Sequence, residues 1–230
     1  MVRERLCSVV VLVGVVAVRS AAAQDDKPPE IAVTATGTVD LSPDYAILHV
    51  GLVTRDAQAG RAGEQNARMT TAVRAALRQL LRVPDDSLPS VGYSVVTDYD
   101  RDHRPAGYAA RNVIEARVHD LTQVGPAVDA ALAAGATQIA GIQFESTKRA
   151  SARLEALARS VETARREAEA MARAAGGRLG PLIEMSSTGP AFPIRAARST
   201  MAMAAVETPI VPPELTVEAT VTARWVFIPQ

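Results

Sequence analysis

Residues 215–227 read LTVEATVTARWVF, and their alternation decides the fold. Leu215, Val217, Ala219, Val221, Ala223, Trp225 and Phe227 alternate with Thr216, Glu218, Thr220, Thr222 and Arg224. A period of two puts the apolar set on one face of an extended chain and the polar set on the other, which is a half-buried β-strand. Its length predicts pairing along a broad sheet, with a subunit boundary as one place for that pairing.

The same pattern recurs upstream. Residues 31–38 (IAVTATGT) alternate in the same way, and 45–54 (YAILHVGLVT) are so uniformly apolar that both faces are expected to be covered. Between them, Asp40 to Asp44 carry turn chemistry around Pro43. Segments 91–99 and 107–118 read as an antiparallel hairpin with a polar connection, and 139–145 and 179–187 as two further strands.

Three segments change to a period near 3.6. Over 57–81, Ala62, Met69, Val73, Ala76, Leu77 and Leu80 form an apolar stripe that Pro84 terminates. Asp120 followed by Gln123 predicts a capped helix over 121–134, with Gly135 as its stop. The longest helix is predicted over 148–175, capped by Ser146 or Thr147. Its stripe is Leu154, Leu157, Ala158, Val161, Ala164, Ala168, Met171 and Ala175, and Gly176-Gly177 closes it. Glu155–Arg159, Glu162–Arg166 and Glu169–Arg173 are spaced as i,i+4 ion pairs. The fold class expected from this order is α+β, with helices packed on one face of a mainly antiparallel sheet. Residues 188–213, rich in proline and small side chains, are expected to form a long mobile loop.

The N-terminus carries Arg3 and Arg5, an apolar run over 9–18, and then Ala21-Ala22-Ala23. That order predicts a signal peptide over 1–23, and the run is too short to span a bilayer. The one cysteine, Cys7, lies inside it. A chain of 24–230 would therefore hold no thiol nucleophile, thiolate metal site or disulfide. It would carry 22 basic and 24 acidic residues, with no basic stripe to support nucleic-acid binding. No later run is long enough for a membrane span.

Candidate chemistry is thin. Asp98, Asp100, Asp102 and His103 imitate the start of a calcium loop, but that loop needs Gly where His103 stands and Glu where Ala109 stands. A solvated turn is the better account of them. Met201 and Met203 form a minimal M-x-M that thioether-bound copper(I) would require, against an ordinary role as contact residues. His49, His103 and His119 lack zinc-ligand spacing. Neither Ser90 nor Ser94 sits in a G-x-S-x-G turn, and Gly60-Arg61-Ala62-Gly63 lacks the phosphate-binding pattern. The expectation is no enzyme, no catalytic residue and no cofactor.

With these segments placed, the chain resembles the SIMPL-domain (domain of unknown function 541) family of bacterial periplasmic proteins. The carriers are VDLSPDYA at 39–46, YAARN at 108–112, AGATQIAGIQF at 134–144, Ala164-Arg165 in the alanine-rich helix and GGRLG at 176–180. Taken together, their order and spacing are more specific than any one of them. The resemblance implies a SIMPL-like domain over 24–230, export to the periplasm, a homo-oligomeric tendency and a place in oxidative or envelope stress defence. It brings no catalytic residues. A metal- or small-ligand-binding module is the alternative.

Overall fold

The computed structural model describes residues 28–187 and 210–230. The predicted signal peptide, and residues 188–209 of the predicted loop with Met201 and Met203, lie outside the described residues. Within them the fold is α+β as expected, but the strands divide between two antiparallel sheets instead of sharing one.

The first sheet contains β1 (Glu30–Leu41), β6 (Gly177–Ser187) and β7 (Leu215–Pro229), with β7 in the centre. β7 is the alternating stretch that opens the sequence analysis, and both of its partners come from its own chain. β1 pairs with it from Glu30↔Val226 to Leu41↔Leu215, and β6 pairs with its second half. Its length is thus used along a sheet within the chain. Helix α3 (Arg149–Ala174) covers one face, where Ile31, Val33, Val221 and Trp225 meet Ala164, Ala168 and Ala172.

The buried side of α3 differs from the predicted stripe. Ala152, Ala156, Ser160, Ala164, Ala168 and Ala172 face inward, whereas Leu154 is 70% and Met171 50% exposed. Hydrophobicity alone favours the larger residues, but the sheet lies too close to admit them. A Cβ built on Gly37 of β1 would stand 2.2 Å from the carbonyl oxygen of Ala156. Only a face of small residues fits against such a strand, and Leu157 and Val161 fill the flank. The predicted Glu155–Arg159 pair forms at 2.6 Å, and Arg159 also donates to the carbonyl of Thr38. Glu169 bonds Arg165, one turn back.

The second sheet contains β2 (Tyr45–Asp56), β3 (Ser90–Tyr99), β4 (Pro105–Val118) and β5 (Gln138–Glu145), in the order β3-β4-β2-β5. Helices α1 (Ala59–Leu81) and α2 (Val124–Ala133) lie on one face, over a core that includes Leu48, Leu52, Leu77, Ile114 and Val124. On α1, Ala62, Val73 and Leu77 are buried as predicted, and so is Asn66, which apolar periodicity passes over. β2 is fully buried only on the helix side; Ile47, His49 and Val53 on its other face are half-exposed, so the expected double coverage is only partial. Asp120 caps as predicted, accepting from the Thr122 amide at 3.0 Å. It opens a 3-10 turn over Leu121–Gln123 that continues into α2. Gly135, at φ +106°, ends that helix in a conformation that side chains resist.

The chain leaves the first sheet at 42–44 and returns at 146–148, and Asp44 ties the two crossings together. Its amide donates to the Glu145 carbonyl at 2.9 Å, and its carboxylate accepts from the Thr147 amide at 2.9 Å. The hydroxyls of Thr147 and Ser146 also donate to that carboxylate. The cap position of α3 is Lys148, which makes no side-chain cap bond, and not Ser146 or Thr147: their hydroxyls donate to Asp44, and the Ser146 oxygen also accepts from the Lys148 amide at 3.4 Å. The hydrogen bonds from Thr147 hold the Asp44 carboxyl below the usual carboxylate range. A lowered folded-state pKa gives stability that is present above the unfolded value, about 3.9, and lost as pH falls through the folded one. Asp44→Asn is accordingly expected to lower the melting temperature at neutral pH. The gap should close below about pH 4, as a thermal scan across pH would record. A gap constant down to pH 3 excludes this role.

Candidate functional site

The structure does not assemble the predicted cation ligands. Asp98 is paired with Arg55 at 2.8 Å. One oxygen of Asp100 accepts from the amides of Asp102 and Arg104, both at 2.9 Å, and so shapes the hairpin tip. His103 occupies the left-handed region at φ 58° and donates its amide to the Asp100 carbonyl. Two of the four candidates thus serve the turn, and no cluster of three or more His, Cys, Asp or Glu residues forms among the described residues. His49 lies 3.7 Å from Glu115, and His119 packs near the Tyr45 ring, with centroids 6.1 Å apart.

A shallow cavity of about 370 Å³ opens where α1 ends, between Leu80 to Val83 and Arg117 to Asp120. Arg117 stacks 5.1 Å over the Tyr45 ring, leaving a cation and an apolar floor at the opening. Asp120 at its rim is committed to Thr122, whose hydrogen bonds lower its pKa. The arrangement suits a small anion with an apolar body.

The most unusual surface is the β3–β4 hairpin. β3 is an edge strand, exposed along almost its whole length on both faces. Val91 (51%), Tyr93 (60%) and Tyr99 (58%) are more than half exposed, and Val95, Val96 and Tyr108 more than a third. The register explains this. Tyr93 and Val95 lie opposite Asn112 and Ala110, so they project on the same side as α1. α1, however, covers β4 and β2 and reaches β3 only near Gly63, where an added Cβ would stand 3.1 Å from the Tyr93 hydroxyl. The β3 side of the helix-bearing face is left bare. Sequence analysis places a strand over 91–99 but assigns it no role. The available signal is the run Ser90 to Thr97, which carries no charge and sets Val91, Tyr93 and Val95 on one parity.

Among the described residues no helix is long and apolar enough to cross a membrane. The chain is similar to the 26 kDa periplasmic immunogenic protein of Brucella melitensis biotype 1, with 28% identity over 203 residues, 83% of this chain and 81% of that protein. The protein of the same name from Brucella abortus strain S19 matches to the same extent. Residues 31–225 match the SIMPL family model, described as a protein of unknown function (DUF541). With that match running from the second residue of β1 to Trp225 of β7, the chain belongs to the SIMPL family.

Proposed function

We propose that this is an exported, non-enzymatic protein of the periplasm that acts by assembly or by docking a partner, in defence of the envelope against stress. The observation that carries the proposal is the bare edge strand: a row of unpaired backbone groups flanked by Val91, Tyr93, Val95 and Tyr99. Folded proteins normally shield such an edge with charge, proline or a covering element. Exposed apolar residues gathered in one place mark an interaction surface. The periplasmic names of the Brucella relatives and the charged-apolar-small order of residues 1–23 support export. Light scattering on the purified protein is expected to give a multiple of the mass of one chain at micromolar concentration. Single chains throughout that range would remove assembly and leave partner docking alone. Turnover of any substrate that is lost on changing one polar side chain would overturn the non-enzymatic half.

The cavity beside Arg117 favours a second function, binding of a small organic anion. Calorimetry with apolar carboxylates separates the two; heat that disappears in Arg117→Ala supports binding, and no heat with any of them removes it.

A further inference from the structure

We infer that the occupant of the β3 edge is the β3 edge of a second copy, paired antiparallel across a two-fold axis near Ser94, so that two four-stranded sheets become one of eight. This rests on the assembly proposal and specifies its contact. Among the described residues β3 has β4 on one side and no strand on the other. Its register breaks only at Ser90/Gly92 and Asp98/Tyr99, which leaves a regular run over 92–98. Neither a proline nor a lysine interrupts that run. β6 is the contrasting case: it too is an edge, but Pro181 lies within it and its register shifts twice, between Leu179 and Glu184.

Symmetry constrains how two such strands can meet. Groups that point outward from a free edge come from every second residue, so identical strands running antiparallel exchange hydrogen bonds between residues of the same parity. Side chains of the same parity share a face. Tyr93 and Val95 of one copy therefore come to lie beside Val95 and Tyr93 of the other. Aromatic–β-branched cross-strand pairs of this kind are among the favourable ones.

Charge points to the same occupant. A two-fold axis sets any charge that lies close to it beside its own image, so a strand that pairs with itself must be nearly neutral where it crosses the axis. Ser90 to Thr97 carries no charged side chain, and the one acid within β3, Asp98, is paired with Arg55 at 2.8 Å. With the axis at Ser94, Asp98 falls opposite Ser90, away from its own image. The Tyr93 rings, on the face that α1 leaves uncovered, then lie diagonally across the axis from each other, each beside Val95 of the other copy, and cover part of the bare strip.

The test uses the full chain carrying Cys7→Ser, in which Ser94→Cys introduces the sole thiol. Mild oxidation is expected to give a disulfide-linked dimer at residue 94, whereas Ser151→Cys, on the exposed side of α3, stays single. Val95→Lys, and independently Tyr93→Ser, is expected to weaken self-association by about tenfold or more in sedimentation equilibrium. The melting curve of the monomer should be unchanged, since both side chains are exposed. A multi-chain particle whose mass ignores both substitutions, with residue 94 linking no faster than 151, overturns this contact and leaves assembly standing elsewhere. Single chains at every concentration overturn the contact and the assembly proposal together.

Discussion

Gly37→Ala is expected to destabilise the fold by more than about 3 kcal/mol, the upper end of ordinary overpacking, and Gly37→Val to prevent folding. The Cβ added by either substitution would lie 2.2 Å from the Ala156 carbonyl oxygen and 2.6 Å from the Ser160 amide nitrogen. Both are backbone atoms of α3, so no rotamer change can clear the space. Relief requires lifting the helix from β1, and Ala152, Ala156, Ala164, Ala168 and Ala172 would lose their contacts with the sheet at the same time. Close packing makes such a shift costly over the whole helix and not only at one residue. The control is Gly60→Ala, inside α1 where an added Cβ meets nothing within 4 Å. That change is expected to be neutral or to stabilise by up to about 1 kcal/mol, as helix propensity and chain entropy dictate. Urea unfolding of the two variants measures the contrast; Gly37→Ala within about 1 kcal/mol of the parent would refute the close approach.

Element positions were legible because they depend on local periodicity. The strands around 31–38, 45–54 and 107–118 and all three helices appear within a few residues of their predicted places. Division into two sheets was not legible, since pairing is decided by contacts such as Glu30↔Val226 that lie far apart in the chain. α3 shows the limit of periodicity more sharply. Leu154 and Met171 score as core residues, yet they face solvent because Gly37, over a hundred residues earlier, brings the sheet in close. The inward alanines announced close packing; only the position of β1 says which side it falls on.

The candidate site follows the same division. Asp98 to His103 attracted a metal hypothesis because the carboxylates alternate, but β3 ends at Tyr99 and the chain turns back over Asp100 to Arg104, and Arg55 and the tip amides use two of them. The surface strand was legible as a strand and illegible as a surface. Whether Tyr93 is buried depends on how far α1 extends across the sheet, and α1 stops short of β3.

Asn66→Asp is expected to cost about 3 kcal/mol or more at neutral pH, although the two side chains are nearly the same size. Asn66 is fully buried on α1. Its amide nitrogen donates to the Leu52 carbonyl at 3.3 Å and the Ala110 carbonyl at 3.1 Å, linking the helix to β2 and β4 at one point. The Thr70 hydroxyl donates to its oxygen at 3.4 Å and accepts from Asn112 at 3.0 Å. A carboxylate in that place turns two donated hydrogen bonds into oxygens facing oxygens, at a position closed to solvent. The new acid would hold its proton in the folded state, so its pKa rises above the unfolded value of about 3.9. Folded protein then binds more protons than unfolded, and the variant's stability falls with rising pH by up to about 1.4 kcal/mol per unit until the group ionises in both states. The deficit should therefore be small near pH 4 and widen toward pH 7, above the acid window in which the Asp44→Asn gap closes. Asn66→Leu removes the donors without adding charge and should show a deficit that does not vary with pH. Urea unfolding at several pH values distinguishes them: a deficit for Asn66→Asp that stays flat with pH, or never exceeds about 1 kcal/mol, would mean that Asn66 does not hold α1 to the sheet in this way.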